Sequence, residues 1–317
     1  MTLLETFGDR VKQQEPLKNH TTYRIGGPAD FYFLASSPEE AARAIGAARA
    51  DGLPVFVLGG GSNILVSDAG FRGLVVSYSG RKVSIEGDRI IADAGAILFA
   101  LVKDSIDAGL AGLEWASGIP GTLGGAVRGN AGAYGGEIKD AIDSVQAISL
   151  LTGELASFDR ASCGFGYRES IFKRTPWLIT RAVFVLAPGD KTALHAKMRE
   201  TIDKRRNKQP LEFGNAGSVF KSFVIDDAGK IPAAIRAVVP PEYISYGRIP
   251  AAWLIEHLGL KGKTIGEAQI SEKHANYFVN TGHARASDVR ELIDYAKMKV
   301  KEELGVVLEE EIEYVGF

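Results

Sequence analysis

The chain has 317 residues, of which 45% are hydrophobic and 24% charged, and its formal net charge is −2. This length allows two or three small domains with separate cores, and the balanced charge excludes the strongly basic surface of a nucleic-acid-binding protein. The single cysteine, Cys163, excludes an internal disulfide framework and a cysteine-based zinc site, and we expect no metal. Residues 1–16 mix charges and no apolar run reaches the length of a membrane span, so we expect a cytoplasmic protein without membrane contact.

The N-terminal part of the chain alternates helices and strands. A serine cap and a capping-box glutamate predict a helix over 37–52, followed by a strand at 55–57. A strand at 89–92 then precedes a helix over 98–108, which a glycine ends. This alternation predicts a mixed α/β lobe.

Two helices are predicted in the C-terminal part. One begins near Lys191 and ends before Pro210, because proline cannot continue a helix, and we place a domain boundary in it. The other has Ser287 as its cap and Gly305 as its terminator, and it leads into a final strand over 307–315. Its predicted buried stripe consists of Val289, Leu292, Ile293, Ala296 and Val300.

Two glycine-rich stretches are the most informative local feature. The first, at residues 58–63, follows the strand at 55–57, and the second, at residues 117–136, contains eight glycines. Glycine at this density indicates either a series of tight turns or a backbone that needs φ > 0 and close approach to a ligand. We therefore expect Gly60 and Gly124 to have φ > 0 and to face a diphosphate.

Two common nucleotide-binding motifs do not fit these stretches. The doubly wound dinucleotide fold requires a helix after the glycine loop, whereas residues 62–70 are too short and too rich in turn residues. A phosphate-loop NTPase is excluded because His257 stands where the first glycine of the motif ending at Thr264 should be. A nest of backbone N–H groups between strands is the better interpretation.

An ordered set of motifs extends over about 22–316. It consists of TYRIGGPAD at 22–30, GGGSN at 59–63, SGIPGT at 117–122, NAGAYG at 130–135, CGFGYR at 163–168, AGSVFK at 216–221, SEKHAN at 271–276 and LEEEI at 308–312. In this order the motifs closely resemble those of the family of UDP-N-acetylenolpyruvoylglucosamine reductases, the flavoenzymes of peptidoglycan precursor and cell-wall synthesis.

The resemblance implies an α+β fold in which a vanillyl-alcohol-oxidase/p-cresol-methylhydroxylase-type FAD-binding lobe of two α/β subdomains precedes an α+β substrate-binding domain. We expect the FAD-binding subdomains at 1–75 and 76–195 and the substrate-binding domain at 196–317. No histidine lies within either glycine loop, so FAD should be held without a covalent bond. The residues that the resemblance assigns to FAD are Gly59, Gly60, Gly61, Ser62, Asn63, Ile64, Gly118, Ile119, Pro120, Gly121, Gly124, Gly125, Ala126, Asn130, Ala131 and Gly132.

The same resemblance implies the reaction and its catalytic residues. NADPH would reduce the flavin, which would then pass a hydride to the enol ether of UDP-N-acetylglucosamine enolpyruvate, giving UDP-N-acetylmuramate. Arg168 and Glu311 would stabilise the developing charge, and Ser218 would protonate the carbon. The implied substrate-binding residues are Tyr167, Lys208, Asn215, Lys221, His274 and Asn276.

Residue chemistry alone leaves other interpretations open. Arg168 could form a structural salt bridge, Ser218 could be a turn serine, and His274 could be a structural histidine. The fold could serve another flavin oxidoreductase such as a small-molecule oxidase, or a nucleotide-binding protein without turnover. We expect a monomer, as is usual in the family.

The chain departs from the family pattern after its AGSVFK motif. Ser222 and Phe223 replace the usual Asn-Pro pair, and a long segment at 222–250 follows. The interval from Arg168 to Ser218 is too short for the extra tyrosine-bearing loop of one family form, which indicates the form without it. Our hypothesis is that Tyr243 or Tyr246 partly closes the substrate site instead.

Overall fold

The computed structural model describes residues 2–225, 231–236 and 238–317. The α-helices within these ranges are α1 Leu3–Phe7, α2 Pro38–Ala50, α3 Leu98–Asp107, α4 Leu123–Arg128, α5 Ile171–Arg174, α6 Lys191–Lys208, α7 Ala233–Arg236, α8 Pro241–Ser245, α9 Ala251–His257 and α10 Ala286–Leu304. None of these described helices is long and apolar enough to cross a bilayer.

The strands are short, and several contain two or three residues. They are β1 Lys12–Pro16, β2 Pro28–Ala35, β3 Val55–Val57, β4 Ile64–Val66, β5 Phe71–Tyr78, β6 Val83–Glu86, β7 Arg89–Asp93, β8 Leu110–Ala111, β9 Gly132–Ala133, β10 Gly136–Glu137, β11 Ile142–Ser149, β12 Leu155–Asp159, β13 Trp177–Val185, β14 Ala187–Pro188, β15 Gly214–Ser218, β16 Phe223–Val224, β17 Arg248–Ile249, β18 Thr264–Ile265, β19 Ala268–Ile270, β20 Tyr277–Asn280 and β21 Glu313–Val315.

The chain forms two compact units, each built from several segments. The first unit consists of the described residues within Met1–Glu15, Ala29–Gly60 and Phe71–Asn207, and the second of those within Pro16–Pro28, Gly61–Gly70 and Lys208–Phe317. The chain passes into the second unit for the last time at the end of α6.

The first unit contains two sheets with separate cores. A four-stranded sheet has the order β1-β2-β5-β3, with β5 parallel to β2 and β3, and α2 packs against β5. Phe33, Ile45 and Val76 are fully buried there. A five-stranded antiparallel sheet, β12-β11-β13-β7-β6, shares the second core with α3 and α4. The division of this part into 1–75 and 76–195 stays a prediction, and the two cores support it.

The second unit is built around a four-stranded antiparallel sheet and α10. The sheet has the order β15-β20-β19-β18, and the stripe of α10 predicted to be buried is fully buried. A separate parallel pair joins β21 to β4, so a C-terminal strand lies beside the strand that follows the first glycine cluster. The absence of a helix after that cluster is therefore confirmed.

Local details of the predicted α2 helix are largely confirmed. The Ser37 side chain accepts from the N–H of Glu40 at 3.2 Å, as an N-cap does. The Glu40 carboxylate, however, accepts from the N–H of Ser36 at 2.9 Å, so the expected capping box is shifted by one residue. The predicted strand at 89–92 and the helix after it lie within one residue of β7 and α3.

Two predictions about the C-terminal part are wrong. The cap of α10 is Arg285 and not Ser287, because the Asp68 carboxylate accepts from the N–H groups of Ala286 and Ser287 at 2.8 and 3.0 Å. The final strand covers residues 313–315 only. Before it, residues 309–311 hydrogen-bond to the segment after β15, and the chain then changes partner to β4.

Candidate functional site

The two glycine stretches meet within the first unit through their backbones. A Cβ atom at Gly60 would lie 2.5 Å from the Cα of Gly121, and one at Gly124 would lie 3.0 Å from the Cβ of Ala94. Neither glycine has a positive φ, so that expectation was wrong; Gly121 in the same contact does, at 108°. Close packing against the protein's own atoms therefore excludes a side chain at position 60 and crowds one at position 124.

The two stretches differ in how their N–H groups are used. The N–H groups of residues 123–125 all donate within the protein, that of Gly124 to the carbonyl of Ala94 at 2.8 Å. Those of Gly59 and Gly60 donate to no residue in the described part of the chain. Gly59 is exposed and Gly60 is partly buried, so the N–H groups of the first stretch are the ones left to donate to water or to a ligand.

A helix inside the second glycine stretch escaped the sequence analysis. Thr122 caps α4 and accepts from the N–H of Gly125 at 3.4 Å. The threonine was a usable helix-start signal, but the low helix propensity of the following glycines concealed it.

A cleft of the first unit lies beside both glycine stretches. It is lined by Val57, Leu58, Gly59, Tyr78, Ala94, Thr122, Gly124, Gly125, Arg128, Trp177, Leu178 and Ile179. A Cβ atom at Gly125 would meet only the hydroxyl oxygen of Thr122, at 3.6 Å. Space therefore exists on the Cβ side of Gly125, whereas Gly121 fills the Cβ side of Gly60.

Arg168 lies on a loop that is fixed to the end of the second glycine stretch. Its φ is +57°, and its guanidinium donates from Nη2 to the carbonyl of Gly132 at 2.7 Å. Its guanidinium carbon lies 5.3 Å from the centroid of the Tyr167 ring. The hydroxyl of Ser170 donates to the carbonyl of Arg128 at 2.6 Å. These contacts hold the arginine in an uncommon backbone conformation.

Asn130 supports this loop with a fully buried side chain. Its Nδ2 donates to the carbonyl of Gly166 at 2.8 Å and to the Glu137 carboxylate at 3.0 Å, and its Oδ1 accepts from the N–H of Lys139 at 3.0 Å. Burial acts to raise the pKa of Glu137, but hydrogen bonds from Lys139 and Asn130 hold that pKa below its ordinary value. Glu137 was missed by the sequence analysis, and no motif singled it out.

The second unit brings Ser218 and Glu311 together. The register of β15 shifts between Asn215 and Ser218, where Gly217 has a φ of +76°. The N–H of Glu311 donates to the carbonyl of Val219, the residue after Ser218, at 2.7 Å. The bulge therefore lies directly before Ser218, and the backbone hydrogen bond places Ser218 beside the segment that carries Glu311. Arg168 belongs to the first unit.

Asn276 and Asn215, both predicted to bind substrate, use their side chains within the protein. The Asn276 amide donates to the carbonyl of Phe220 at 2.8 Å and accepts from its N–H at 3.0 Å. The Asn215 amide donates to the carbonyl of Phe213 at 2.8 Å and accepts from the N–H of Gly217 at 3.0 Å. Both side chains thus fix the backbone on either side of Ser218.

The remaining predicted substrate-binding residues, His274, Lys221 and Lys208, differ in their burial and in their partners. Burial lowers the pKa of His274, whose Nδ1 accepts from the N–H of Asn276 at 3.3 Å. The Lys221 ammonium lies 3.6 Å from the Glu309 carboxylate, and Lys208 is exposed at the end of α6.

The hypothesis about the two tyrosines concerns a segment of which 226–230 and 237 lie outside the described residues. Tyr243 packs on the core of the second unit, with its ring centroid 6.2 Å from that of Trp253. Tyr246 is 74% exposed. Closure of a substrate site by one of these tyrosines therefore stays a prediction. Tyr246 is the better candidate because its side chain is exposed, whereas that of Tyr243 packs on the core. Between Arg168 and Ser218, α5, β13, β14 and α6 leave no long loop.

Comparison with known families identifies the class of protein. The family model described as "FAD binding domain" matches residues 29–159, and the one described as "UDP-N-acetylenolpyruvoylglucosamine reductase, C-terminal domain" matches residues 209–315. The chain is therefore an FAD-dependent oxidoreductase, and the predicted fold class is confirmed.

Full-length relatives identify the family. The UDP-N-acetylenolpyruvoylglucosamine reductase of Solibacter usitatus is 41% identical over 310 residues, covering 96% of this chain and 97% of its own length. That of Carboxydothermus hydrogenoformans is 42% identical over 316 residues, covering 99% of this chain and 97% of its own length. The reductase of Thermus caldophilus, whose crystal structure is known, is 35% identical in sequence. The two structures match with a TM-score of 0.76 over 96% of this chain and 99% of that one. The chain belongs to the UDP-N-acetylenolpyruvoylglucosamine reductase family.

Proposed function

We propose that this protein reduces UDP-N-acetylglucosamine enolpyruvate to UDP-N-acetylmuramate with NADPH and FAD, in the synthesis of peptidoglycan precursors. The observation that carries this conclusion is identity of 41% with a named reductase over 96% of the chain. The presence of Arg168, Ser218 and Glu311 in matching motifs supports it.

The first unit offers suitable groups for FAD. The N–H groups of Gly59 and Gly60 are positioned to donate to the diphosphate, and the space beside Gly125 leaves room for part of the nucleotide. We propose that FAD is held there without a covalent bond. Bound FAD supplies the redox chemistry, a relay of hydride from NADPH to the enol ether.

The catalytic residues act on the substrate. Arg168 donates to its carboxylate, since a guanidinium can make paired hydrogen bonds. Glu311 stabilises the enolic charge, and Ser218 donates a proton to the carbon that becomes carbanionic. Lys208, Lys221 and His274 remain candidates for contacts with the nucleotide sugar. Asn215 and Asn276 act by holding the Ser218 segment, as their hydrogen bonds to the backbone support.

We also propose that the protein acts as a cytoplasmic monomer that contacts neither nucleic acid nor membranes. The balanced charge supports the absence of a nucleic-acid partner. Light scattering at working concentration tests the oligomeric state, and a mass near 34.0 kDa is expected.

The test of the reaction is NADPH oxidation under air, with and without UDP-N-acetylglucosamine enolpyruvate. We expect rapid oxidation only with the nucleotide, and formation of UDP-N-acetylmuramate in equal amount. Rapid oxidation without it would indicate a small-molecule oxidase. A protein that binds nucleotides but shows no oxidation in either condition would be a binding protein, and the proposal would be wrong.

A further inference from the structure

Asn63 holds the backbone of Glu311 by a side-chain hydrogen bond. Its Nδ2 donates to the carbonyl of Glu311 at 3.0 Å. Glu311 lies where its segment changes partner, since its N–H donates to the carbonyl of Val219 at 2.7 Å and the chain pairs with β4 from Glu313 onward. A regular strand ladder cannot continue through such a change, so the carbonyl needs a donor from elsewhere. The Asn63 amide supplies it.

Asn63 is itself held by the strand that it precedes. Its carbonyl accepts from the N–H of Glu313 at 3.0 Å, and the residues that follow it in β4 pair in parallel with β21. Asn63 is partly buried. Glu311 is therefore held at both of its backbone polar groups, at its N–H by the residue after Ser218 and at its carbonyl by Asn63. All of these residues belong to the second unit.

A second contact holds the same segment from α10. The Lys297 ammonium lies 2.8 Å from the carboxylate of Glu310, the residue before Glu311. This ion pair acts on the neighbouring side chain, whereas the Asn63 bond acts on the peptide that begins at the Glu311 carbonyl. Loss of one contact can therefore be compared with loss of the other.

We propose that Asn63 is a positioning residue for Glu311 and that its side chain acts on the reaction through the glutamate. The resemblance assigns Asn63 to FAD, whereas its amide donates to the segment that carries the catalytic carboxylate. The inference rests on the proposed function, in which Glu311 stabilises the enolic charge. Such stabilisation requires the group to be in place before the charge develops, so a shift of the Glu311 backbone slows that step.

The test replaces Asn63 by leucine, which has a similar volume but no donor. Both half-reactions are followed by stopped-flow absorbance in excess FAD and are expressed per bound flavin. We expect Asn63→Leu to slow reoxidation by UDP-N-acetylglucosamine enolpyruvate about ten- to a hundredfold, as a small misplacement of a reacting group does. Reduction by NADPH develops no enolic charge and should stay within a few fold of wild type.

A double-mutant cycle with Glu311→Gln decides whether Asn63 acts through the glutamate. In the Glu311→Gln background the position of the side chain matters little, so Asn63→Leu should slow reoxidation there by less than about threefold. Equal slowing in both backgrounds would show that Asn63 acts independently of Glu311 and would overturn the proposal. Weaker FAD binding with unchanged reoxidation per bound flavin would also overturn it, because Asn63 would then be a flavin-binding residue.

Lys297→Met is the matched control, because it removes the ion pair with Glu310 and leaves the Asn63 bond in place. We expect both variants to lower the urea midpoint and only Asn63→Leu to slow reoxidation. Equal slowing by Lys297→Met would assign the effect to a general loosening of the segment and contradict the proposal. Asn63→Ser keeps a shorter donor and should reoxidise faster than Asn63→Leu, and it takes the place of the leucine variant in the cycle if that variant does not fold.

The outcome can be separated from that of the proposed function. If wild-type protein holds no FAD or shows no nucleotide-dependent NADPH oxidation, the function itself is wrong, and so is the role of Asn63. If wild type passes both assays and Asn63→Leu reoxidises at the wild-type rate, the error lies with Asn63 alone.

Discussion

The glycines of the two glycine stretches differ in what lies beside their backbone. Gly60 has no room for a methyl group, which would lie 2.5 Å from the Cα of Gly121, and a methyl group at Gly124 would be crowded at 3.0 Å from the Cβ of Ala94. At Gly125 the nearest protein atom to such a methyl group is 3.6 Å away, and the residue lines the cleft. Substitution at 60 or 124 would therefore disturb the fold, while substitution at 125 would act on a ligand.

We expect Gly125→Ala to weaken FAD binding without destabilising the FAD-free protein. Alanine is favoured over glycine in a helix by about 1 kcal/mol, so the thermal midpoint of the FAD-free form should stay equal or rise. FAD retention is measured by absorbance after gel filtration. Gly60→Ala is the matched comparison, and it should lower both properties. Full FAD retention by Gly125→Ala would exclude the cleft as the flavin site.

Ser218 is the residue whose role can be isolated kinetically. Flavin reduction by NADPH requires no protonation of carbon, so Ser218→Ala should leave its rate within a few fold of wild type. Reoxidation by the enolpyruvyl nucleotide should slow by ~10²–10⁴-fold, the usual contribution of a positioned general acid. Stopped-flow absorbance of the flavin measures both steps. Reoxidation at the wild-type rate would show that Ser218 is only a turn serine.

The cap of α10 shows how one element depends on a distant part of the chain. Asp68 satisfies two N–H groups at the helix start, and a carboxylate there also interacts favourably with the helix dipole. Ser287, the cap that the sequence suggests, lies inside the helix. The same principle that predicts a serine cap is satisfied here by a residue more than two hundred positions away.

We expect Asp68→Ala to lower the free energy of unfolding by about 1–2 kcal/mol, the usual cost of losing a helix cap. Ser287→Ala is the control, and it should change stability by less than about 0.5 kcal/mol. Urea unfolding followed by circular dichroism measures both. The reverse order of effects would mean that Ser287 caps the helix in solution.

At the scale of the whole molecule, burial of His274 makes stability depend on pH. Burial lowers its pKa below the ordinary 6.5, so below pH 6.5 the unfolded chain binds a proton that the folded chain resists. Stability should then fall as pH drops, and protonation would also deprive the Asn276 N–H of its acceptor.

We expect the free energy of unfolding to fall by at most about 1.4 kcal/mol per pH unit in the range just below pH 6.5. His274→Gln should flatten this slope because glutamine does not titrate in this range. Its amide oxygen can still accept from the N–H of Asn276, so the hydrogen bond is kept. Glu114 and Glu137, whose pKa values are lowered, lose stabilisation only below about their ordinary 4.5, so the two ranges are separate. Urea midpoints between pH 5 and pH 8 measure the slope. An equal slope in both proteins would assign it to other groups.

The sequence by itself determined the family, the fold class, the buried stripe of α10 and the end of α6, because these depend on local patterns and on ordered motifs. It also singled out Ser218 and Glu311. The tertiary structure decided that Asn130 supports the Arg168 loop, that Asp68 caps α10, and that Gly60 is glycine for packing. It also showed that the Nε of the buried Arg205 has no hydrogen-bond partner among the described residues. These facts depend on contacts between residues far apart in the chain, and no local pattern encodes which distant group will satisfy a hydrogen bond or a charge.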